Sequence, residues 1–302
     1  DTGVPQSGQI KFSDFYSKRL NQVVDLYSIG NNSSRQVAKD RWNNGNVHIV
    51  GSTKTTKTQP PDTVDDRVII NVNATIRSVK GTQTHCALRT GNWDSGTVLE
   101  IEIGTSGKLY GSGGNGGNGG SANETAGTNG QTGSSALGIE YPCSINNLGI
   151  IQSGYGGGGG GGGNTRTTGG GKKSGATTNG SSGGGGGGGA GLPAGDAGGV
   201  QTPLAVGGGS AGSAGQAGSL SGQASGGAGG SEAGTGGNSS PVNNSASKAN
   251  DGGIYSSDGS QQSANGGIGG SNGYAIITNQ GSAPSLSGGG VTGRTITSTN
   301  PT

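Results

Sequence analysis

Gly169-Gly170-Gly171-Lys172-Lys173-Ser174 is the stretch closest to a phosphate-cradling loop, in which glycine amides surround the phosphates and a lysine reaches them. The match fails at two positions: Arg166 stands where the first glycine is required and Lys173 where the serine or threonine is required. It reads as a solvated basic loop. His48 and His85 lie in different strand-like runs, with no nucleophile or carboxylate at a spacing that would make a triad. Asp62, Asp65 and Asp66 carry enough oxygen for calcium but lack the ligand loop and its turn glycine, so a solvated acidic turn is the simpler reading. Matches to G-x-G-x-x-G, as at 111–116, arise by chance where a third of residues are glycine, and no strand–helix–strand unit surrounds them. Glu124, Glu140, Asp196, Glu232, Asp251 and Asp258 are scattered among glycine tracts, which is poor ground for the paired carboxylates of a glycosidase. Cys86 and Cys143 make at most one bridge; they read either as two thiols packed as small hydrophobes or as one disulfide, and no metal-ligand spacing accompanies them. No cofactor, no metal and no enzymatic activity is expected.

The chain that must position these groups is unusual. Of its 302 residues 74 are glycine, while only 26% are hydrophobic, 4% aromatic and 11% charged. An ordinary apolar core is excluded over most of the length, and so is a highly charged disordered tail. Nine prolines and contiguous glycine runs, in place of glycine at every third position, exclude collagen. A formal net charge of +2 is too balanced to attract nucleic acid or an acidic membrane. No apolar run approaches the ~18 residues of a membrane span, so no membrane insertion is expected and the chain reads as soluble.

Composition changes at about Tyr110. Residues 1–110 hold 10 glycines and 23 charges, and residues 111–302 hold 64 glycines and 11 charges. The first part is expected to be a mainly β domain with little α-helix. Strands are expected at 47–50, 67–72 and 97–103, where Leu99, Ile101 and Ile103 alternate with Glu100 and Glu102 in the period of a sheet with one wet face. Trp42 and Trp93 read as core, and Ser13 as the cap of a short helix carrying Phe15, Leu20 and Val23. Beyond 110, glycine tracts at 111–120, 156–163, 169–171, 183–189, 207–209, 226–230, 266–270 and 288–290 alternate with Ser/Thr/Asn-rich segments. Two apolar patches, 139–151 and 274–296, read as short β-strand caps on this region, the second as a closing strand pair.

A lone glycine tract loses more backbone entropy on ordering than any other sequence, so a flexible linker is the default. Yet eight unbroken glycines can adopt the threefold extended helix of polyglycine II, ~3.1 Å per residue, and several such rods can pack by interstrand N–H to carbonyl bonds. Repeated tracts divided by turns and bracketed by β-patches favour the packed form: a polyglycine II helix sandwich over 111–302.

The segment Ser7-Gly8-Gln9-Ile10-Lys11-Phe12-Ser13-Asp14-Phe15-Tyr16 resembles a stretch near the start of bacteriophage tail and virion proteins. The runs at 107–120 and 145–156, the latter leading into octaglycine, resemble the glycine-rich tip adhesins on the long tail fibres of T-even-like phages. That resemblance implies an extracellular virion protein whose polyglycine scaffold displays loops to a host outer-membrane protein or surface polysaccharide. Residues 1–110 would then attach it to other tail or tail-fibre proteins. Loops at 164–182, 192–206, 239–259 and 278–287 are the expected binding segments, with Arg166, Lys172, Lys173, Leu192, Asp196, Tyr255 and Asp258 as candidate contacts. Arginine and lysine there suit phosphates or carboxylates, and tyrosine an amphipathic contact. The alternative is a structural virion fibre or decoration protein with the glycine region as a stiff spacer.

Overall fold

The computed structural model describes residues 22–25, 33–38, 40, 47–49, 67–121, 125–168, 177–201, 213–220, 224–226, 238, 246–251, 261–278 and 284–296. They are mainly β, with almost no helix. The order in which the strands join sheets explains why. β1 (Gln22–Asp25), β2 (Ser33–Ser34) and β3 (Gln36–Val37) enter three different sheets, and β4 (Val47–Ile49) turns back antiparallel on β1. β5 (Arg67–Val72), β6 (Thr75–Arg77) and β7 (Cys86–Arg89) then pair in parallel with β1, β2 and β3. The same rotation repeats in β8 (Val98–Ile103), β9 (Lys108–Tyr110) and β10 (Ser135–Ile139). It recurs in β11 (Cys143–Asn147), β12 (Ile150–Gln152) and β16 (Tyr274–Thr278). It ends in β17 (Ser285–Gly288), β18 (Val291–Thr292) and β19 (Arg294–Ile296). The backbone is thus a coil that lays one strand on each of three faces per turn.

Parallel register stacks like on like inside the coil. Ile70, Ile101 and Ile145 are aligned on the first face, Ile76, Leu109 and Ile151 on the second, and Leu88, Leu137 and Ile276 on the third, all fully buried. Each such side chain contributes about 1.5–3 kcal/mol on burial, so a narrow core of aliphatic columns suffices for a chain so poor in apolar residues. Glu100 and Glu102 point out between Leu99, Ile101 and Ile103, as their alternation predicts. Trp93 is buried; Trp42 lies outside the described residues. Val23, expected on a helix, sits in β1 opposite Ile69, and the rest of that helix lies outside the described residues. Both cysteines are free thiols, Cys86 in the third sheet and Cys143 in the first.

The two apolar patches do more than cap. β11 lies between β8 and β17, and β10 between β7 and β16, so in every one of the three faces the strands that precede Tyr110, or end on it, pair directly with strands that follow it. The expected pair near the end forms between β16 and β19, in parallel, while β18 joins another face. The change of composition at Tyr110 is not a break in the sheets.

The glycine tract at 288–290 joins β17 to β18, while the described tracts at 111–120, 156–163, 183–189 and 266–270 lie in two excursions from one corner of this coil, 111–134 between β9 and β10 and 153–273 between β12 and β16. They carry hydrogen bonds every third residue. Gly114, Gly117 and Gly120 donate to the carbonyls of Tyr155, Gly158 and Gly161, in parallel, while Gly183, Gly186 and Gly189 donate to Gly120, Gly117 and Gly114, antiparallel. The segment 153–163 is central. Gly154, Gly157, Gly160 and Gly163 donate to 125–134; Tyr155, Gly158 and Gly161 donate to 184–190; Gly159 and Gly162 donate to 247–250. Three successive residues therefore bond in three directions.

That arrangement dictates glycine content. A Cβ on Gly156, Gly157, Gly159, Gly160, Gly162 or Gly163 would overlap a backbone carbonyl, as Gly160 would with Asn118 and Gly159 with Gly267. Segments with an open side relax the requirement: 112–121 reads Ser-Gly-Gly-Asn-Gly-Gly-Asn-Gly-Gly-Ser, and 125–134 keeps only Gly127, Gly130 and Gly133. The tracts at the edges are periodic after all. Gly160→Ala is expected to destabilise the protein by about 3 kcal/mol, because the overlapped group is backbone and cannot swing away. Gly289→Ala, with nothing within 4 Å of the added carbon, is expected to leave the melting temperature unchanged. Thermal unfolding followed by circular dichroism compares the two.

Candidate functional site

The bonding directions fix where the chain turns. Segment 111–121 runs away from the sheets and 125–134 returns; 153–163 runs out and 182–190 returns; 195–201 runs out and 213–220 returns; 246–251 runs out and 264–273 returns. Described backbone therefore departs at Ser121, Thr168, Gln201 and Asp251 from the end farthest from the sheets. At that end β13 (Asn164–Thr168), β14 (Thr177–Ser181) and β15 (Gln261–Ser263) form a separate antiparallel sheet in the order β14-β13-β15. The hairpin continues two glycine rods directly, and β15 leads into a third.

Arg166 lies on β13, the middle strand, in register with Asn179 and Gln261. Lys172 and Lys173, between β13 and β14, and Tyr255 and Asp258, before β15, lie outside the described residues. Leu192 and Asp196 are not brought to this end. Leu192 is half-buried beside the sheets, joined to Pro193 by a cis peptide, and its N–H donates to Gly111 at 2.9 Å. Asp196 accepts from Lys80 Nζ at 2.7 Å, and the same ammonium donates to Asn115 Oδ1 at 2.7 Å.

Lys80 belongs to a group that residue-type searches miss. The segment 78–85, joining β6 to β7, ties the coil to the rods: Gln83 Nε2 donates to the Asn272 carbonyl at 2.5 Å, and Thr132 Oγ1 donates to the Gly81 carbonyl at 2.8 Å. Asparagines replace a missing neighbour's carbonyl at rod edges. Asn115, Asn118, Asn129 and Asn272 accept through Oδ1 from the N–H groups of Asp196, Gly199, Ile268 and Gly156, at 2.8 or 2.9 Å. The signal in the sequence is Asn-Gly, at 115–116, 118–119, 129–130 and 272–273.

Groups that could do bond chemistry are occupied with structure. Glu140 accepts from Arg89 and from the Gly91 N–H. Burial, then the charge of Arg35, hold the His85 imidazole below its ordinary range, which keeps it neutral. Burial pushes the Cys143 thiol up to about 12, far from the thiolate a nucleophile needs. A groove on the outside of the first face is lined by Glu100, Glu102, Ser144, Asn146, Ser285 and Ser287, with no aromatic platform for a sugar ring. Among the described residues no three of His, Cys, Asp and Glu gather as a metal site, and no helix is long and apolar enough to cross a membrane.

The described residues thus form a three-faced coil with glycine rods springing from one corner and a small sheet at their far end. The family model described as phage tail fibre adhesin Gp38 matches residues 41–300, across both the strands and the rods. The chain belongs to that family. No curated protein and no solved structure matches it. The adhesin is a component of the bacteriophage tail fibre, outside the cell, and it recognises the host surface. It binds host surface receptors and phage tail components.

Two expectations follow for this adhesin. Thiol labelling at pH 8 should modify Cys86 and Cys143 only after denaturation, because one is buried and the other is held as the thiol. Asp196→Ala should leave host adsorption within about twofold of the parent and lower stability by less than about 1 kcal/mol, since its ion pair with Lys80 is largely solvated. Adsorption counts and thermal unfolding of the purified variant measure both effects.

Proposed function

We propose that the glycine tracts form a sandwich of polyglycine II helices whose task is to hold host-binding segments rigidly at the end farthest from the sheets. The observation that carries this reading is the shared departure of Ser121, Thr168, Gln201 and Asp251 at that end. The threefold recurrence of hydrogen bonds and the exclusion of a Cβ at Gly156, Gly157, Gly159, Gly160, Gly162 and Gly163 favour the polyglycine II geometry over ordinary strands. Arg166, on β13, lies at this end, and Lys172, Lys173, Tyr255 and Asp258, outside the described residues, are retained as candidate contacts on the sequence alone. Leu192 and Asp196 fit a scaffold role at the other.

The partner is a host outer-membrane protein or surface polysaccharide, and the activity is binding without catalysis. Residues 1–110, with the strands that complete their sheets, serve attachment to the tail fibre. Residues 111–302 supply the sandwich and the loops. The physical advantage is preorganisation. Rods whose N–H groups are already paired surrender little further entropy on binding, so contacts made at the tip convert more fully to affinity.

Replacing 169–176 and 252–260 by glycine-serine segments of equal length should reduce adsorption of the purified protein to whole host cells by at least about a hundredfold, ~2.7 kcal/mol. The unfolding temperature should stay unchanged. Adsorption that survives both replacements, and instead follows residues 1–110 when these are exchanged between relatives, would overturn the assignment.

A further inference from the structure

We infer that Asn265 is a site of spontaneous deamidation in the folded adhesin, where the Gly266 amide nitrogen attacks the Asn265 side-chain carbonyl carbon and the Asp251 carboxylate takes the displaced proton. The inference goes beyond the host-binding reading and needs none of it.

Asparagine followed by glycine recurs in this chain, at 44–45, 115–116, 118–119, 129–130, 179–180, 265–266 and 272–273. In such a pair no Cβ on the second residue shields its nitrogen from the side chain before it, so a five-membered imide closes readily. Whether it closes depends on what holds the two reacting groups. Three pairs clasp a single residue of the neighbouring rod. The Gly116 N–H donates to the Asp196 carbonyl while Asn115 Oδ1 accepts from the Asp196 N–H; Asn118 and Gly119 hold Gly199 in the same way, and Asn129 and Gly130 hold Ile268, all at 2.8–3.0 Å. Asn272 is buried with its Oδ1 on the Gly156 N–H, and the Gly273 N–H donates to Gly154. In these four pairs both reacting groups are tied to backbone on another segment, and ring closure requires breaking both bonds. Asn179–Gly180 lies on β14, and Asn44–Gly45 lies outside the described residues.

Asn265–Gly266 differs on both counts. The Gly266 N–H donates at 2.8 Å to Asp251 Oδ1, a carboxylate, where the other four donate to amide carbonyls. Asn265 is exposed, and no hydrogen bond engages its side chain among the described residues. The Gly266 amide, and then Lys248 Nζ at 3.1 Å, hold the Asp251 carboxyl below its ordinary range, so it is ionised at neutral pH. Packing fixes the glycine, since an added Cβ on Gly266 would meet the carbonyls of Ala249 and Asn250 at 2.4 and 2.5 Å. The scaffold thus imposes the susceptible residue, exposes the asparagine before it and sets a base on the attacking nitrogen.

As that nitrogen bonds to the side-chain carbon its proton passes to Asp251, then to the departing amide nitrogen, and ammonia leaves. Water opens the imide at either carbonyl, giving aspartate or isoaspartate. Both products add a negative charge one residue from the Asp251 contact. Isoaspartate also routes the backbone through the side chain, lengthening it by one carbon between residues whose bonds to Gly127 and Gly160 keep the threefold register.

The full-length adhesin, aged in neutral buffer and mapped by mass spectrometry with isoaspartyl methyltransferase labelling, tests this. In the folded protein Asn265 should convert at least about tenfold faster than Asn115, Asn118, Asn129 and Asn272, and in denaturant all five should convert at similar rates. Asp251→Ser keeps an oxygen for the Gly266 N–H but cannot hold its proton, and should slow Asn265 by about tenfold. Lys248→Ala removes only an exposed ion pair and should leave the rate within about twofold. Both variants should unfold at the parent temperature. Equal rates at the five sites in the folded parent would refute the inference, whatever the variants do. An Asn265 rate unchanged or raised by Asp251→Ser would remove the base and with it the proposed step.

Discussion

The hydrogen bond between neighbouring glycine backbones is the interaction on which this protein depends. Bonds of 2.7–2.8 Å from Gly186 to Gly117, Gly117 to Gly158 and Gly158 to Gly187 hold three rods around one another at a separation that leaves no volume for a methyl group. The bond and the missing side chain are one requirement. A Cβ between rods would part the donors from their acceptors, and a buried unpaired amide costs far more than a paired one contributes. Dense glycine, which entropy makes the worst material for an ordered segment, becomes the only material for this one. The cost of ordering is met because central residues bond in three directions, where a residue in a flat sheet bonds in two.

The sheets provide the starting register. β9 pairs with β12 in parallel, with Tyr110 opposite Gln152, and the next bonds run from Gly111 to Gln152 and from Gly114 to Tyr155. The ladder between two strands thus passes without interruption into the ladder between two rods. On the return, Gly130 and Gly133 bond to Ile268 and Ser271 before β10 pairs with β16. Strands in a sheet lie about 4.8 Å apart, so successive turns of the coil deliver rods to one another at the spacing their own bonds need. Segment 78–85 adds the transverse tie through Lys80, Gly81 and Gln83. Without the coil the rods would have to find both spacing and register unaided, against the full entropy of glycine.

This division explains what could be read from the chain. The strand at 98–103 was legible because one-sided burial prints a period of two on its residues, and that at 67–72 because it is a run of β-branched side chains. Their partners were not, because a parallel ladder joins Ile101 to Ile145 and Ile145 to Leu286 with no local turn to announce it. The threefold rods were legible as glycine density, and their environments were half legible. Xaa-Gly-Gly at 112–121 records two packed sides and one open side, whereas octaglycine at 156–163 carries no mark of which neighbour each residue meets. Asp196 seemed a loop residue because nothing nearby in sequence names Lys80 as its partner, 116 positions away. Val23 shows the opposite failure: a weak helical pattern yields to pairing with Ile69, as propensity yields to tertiary contact generally.

The same physics separates what may not vary from what is free to vary. Within the rods a substitution meets two or three backbones at once, so a change at Gly157 or Gly186 disturbs neighbours that belong to segments far apart in sequence. Up to Ser121, Thr168, Gln201 and Asp251 the ladder between the described rods runs from backbone to backbone, so it constrains a residue through the room its Cβ would need and not through the chemistry of its side chain. An adhesin must change what it recognises while remaining the same folded object, and a ladder of that kind asks chiefly that glycine stay where two backbones touch.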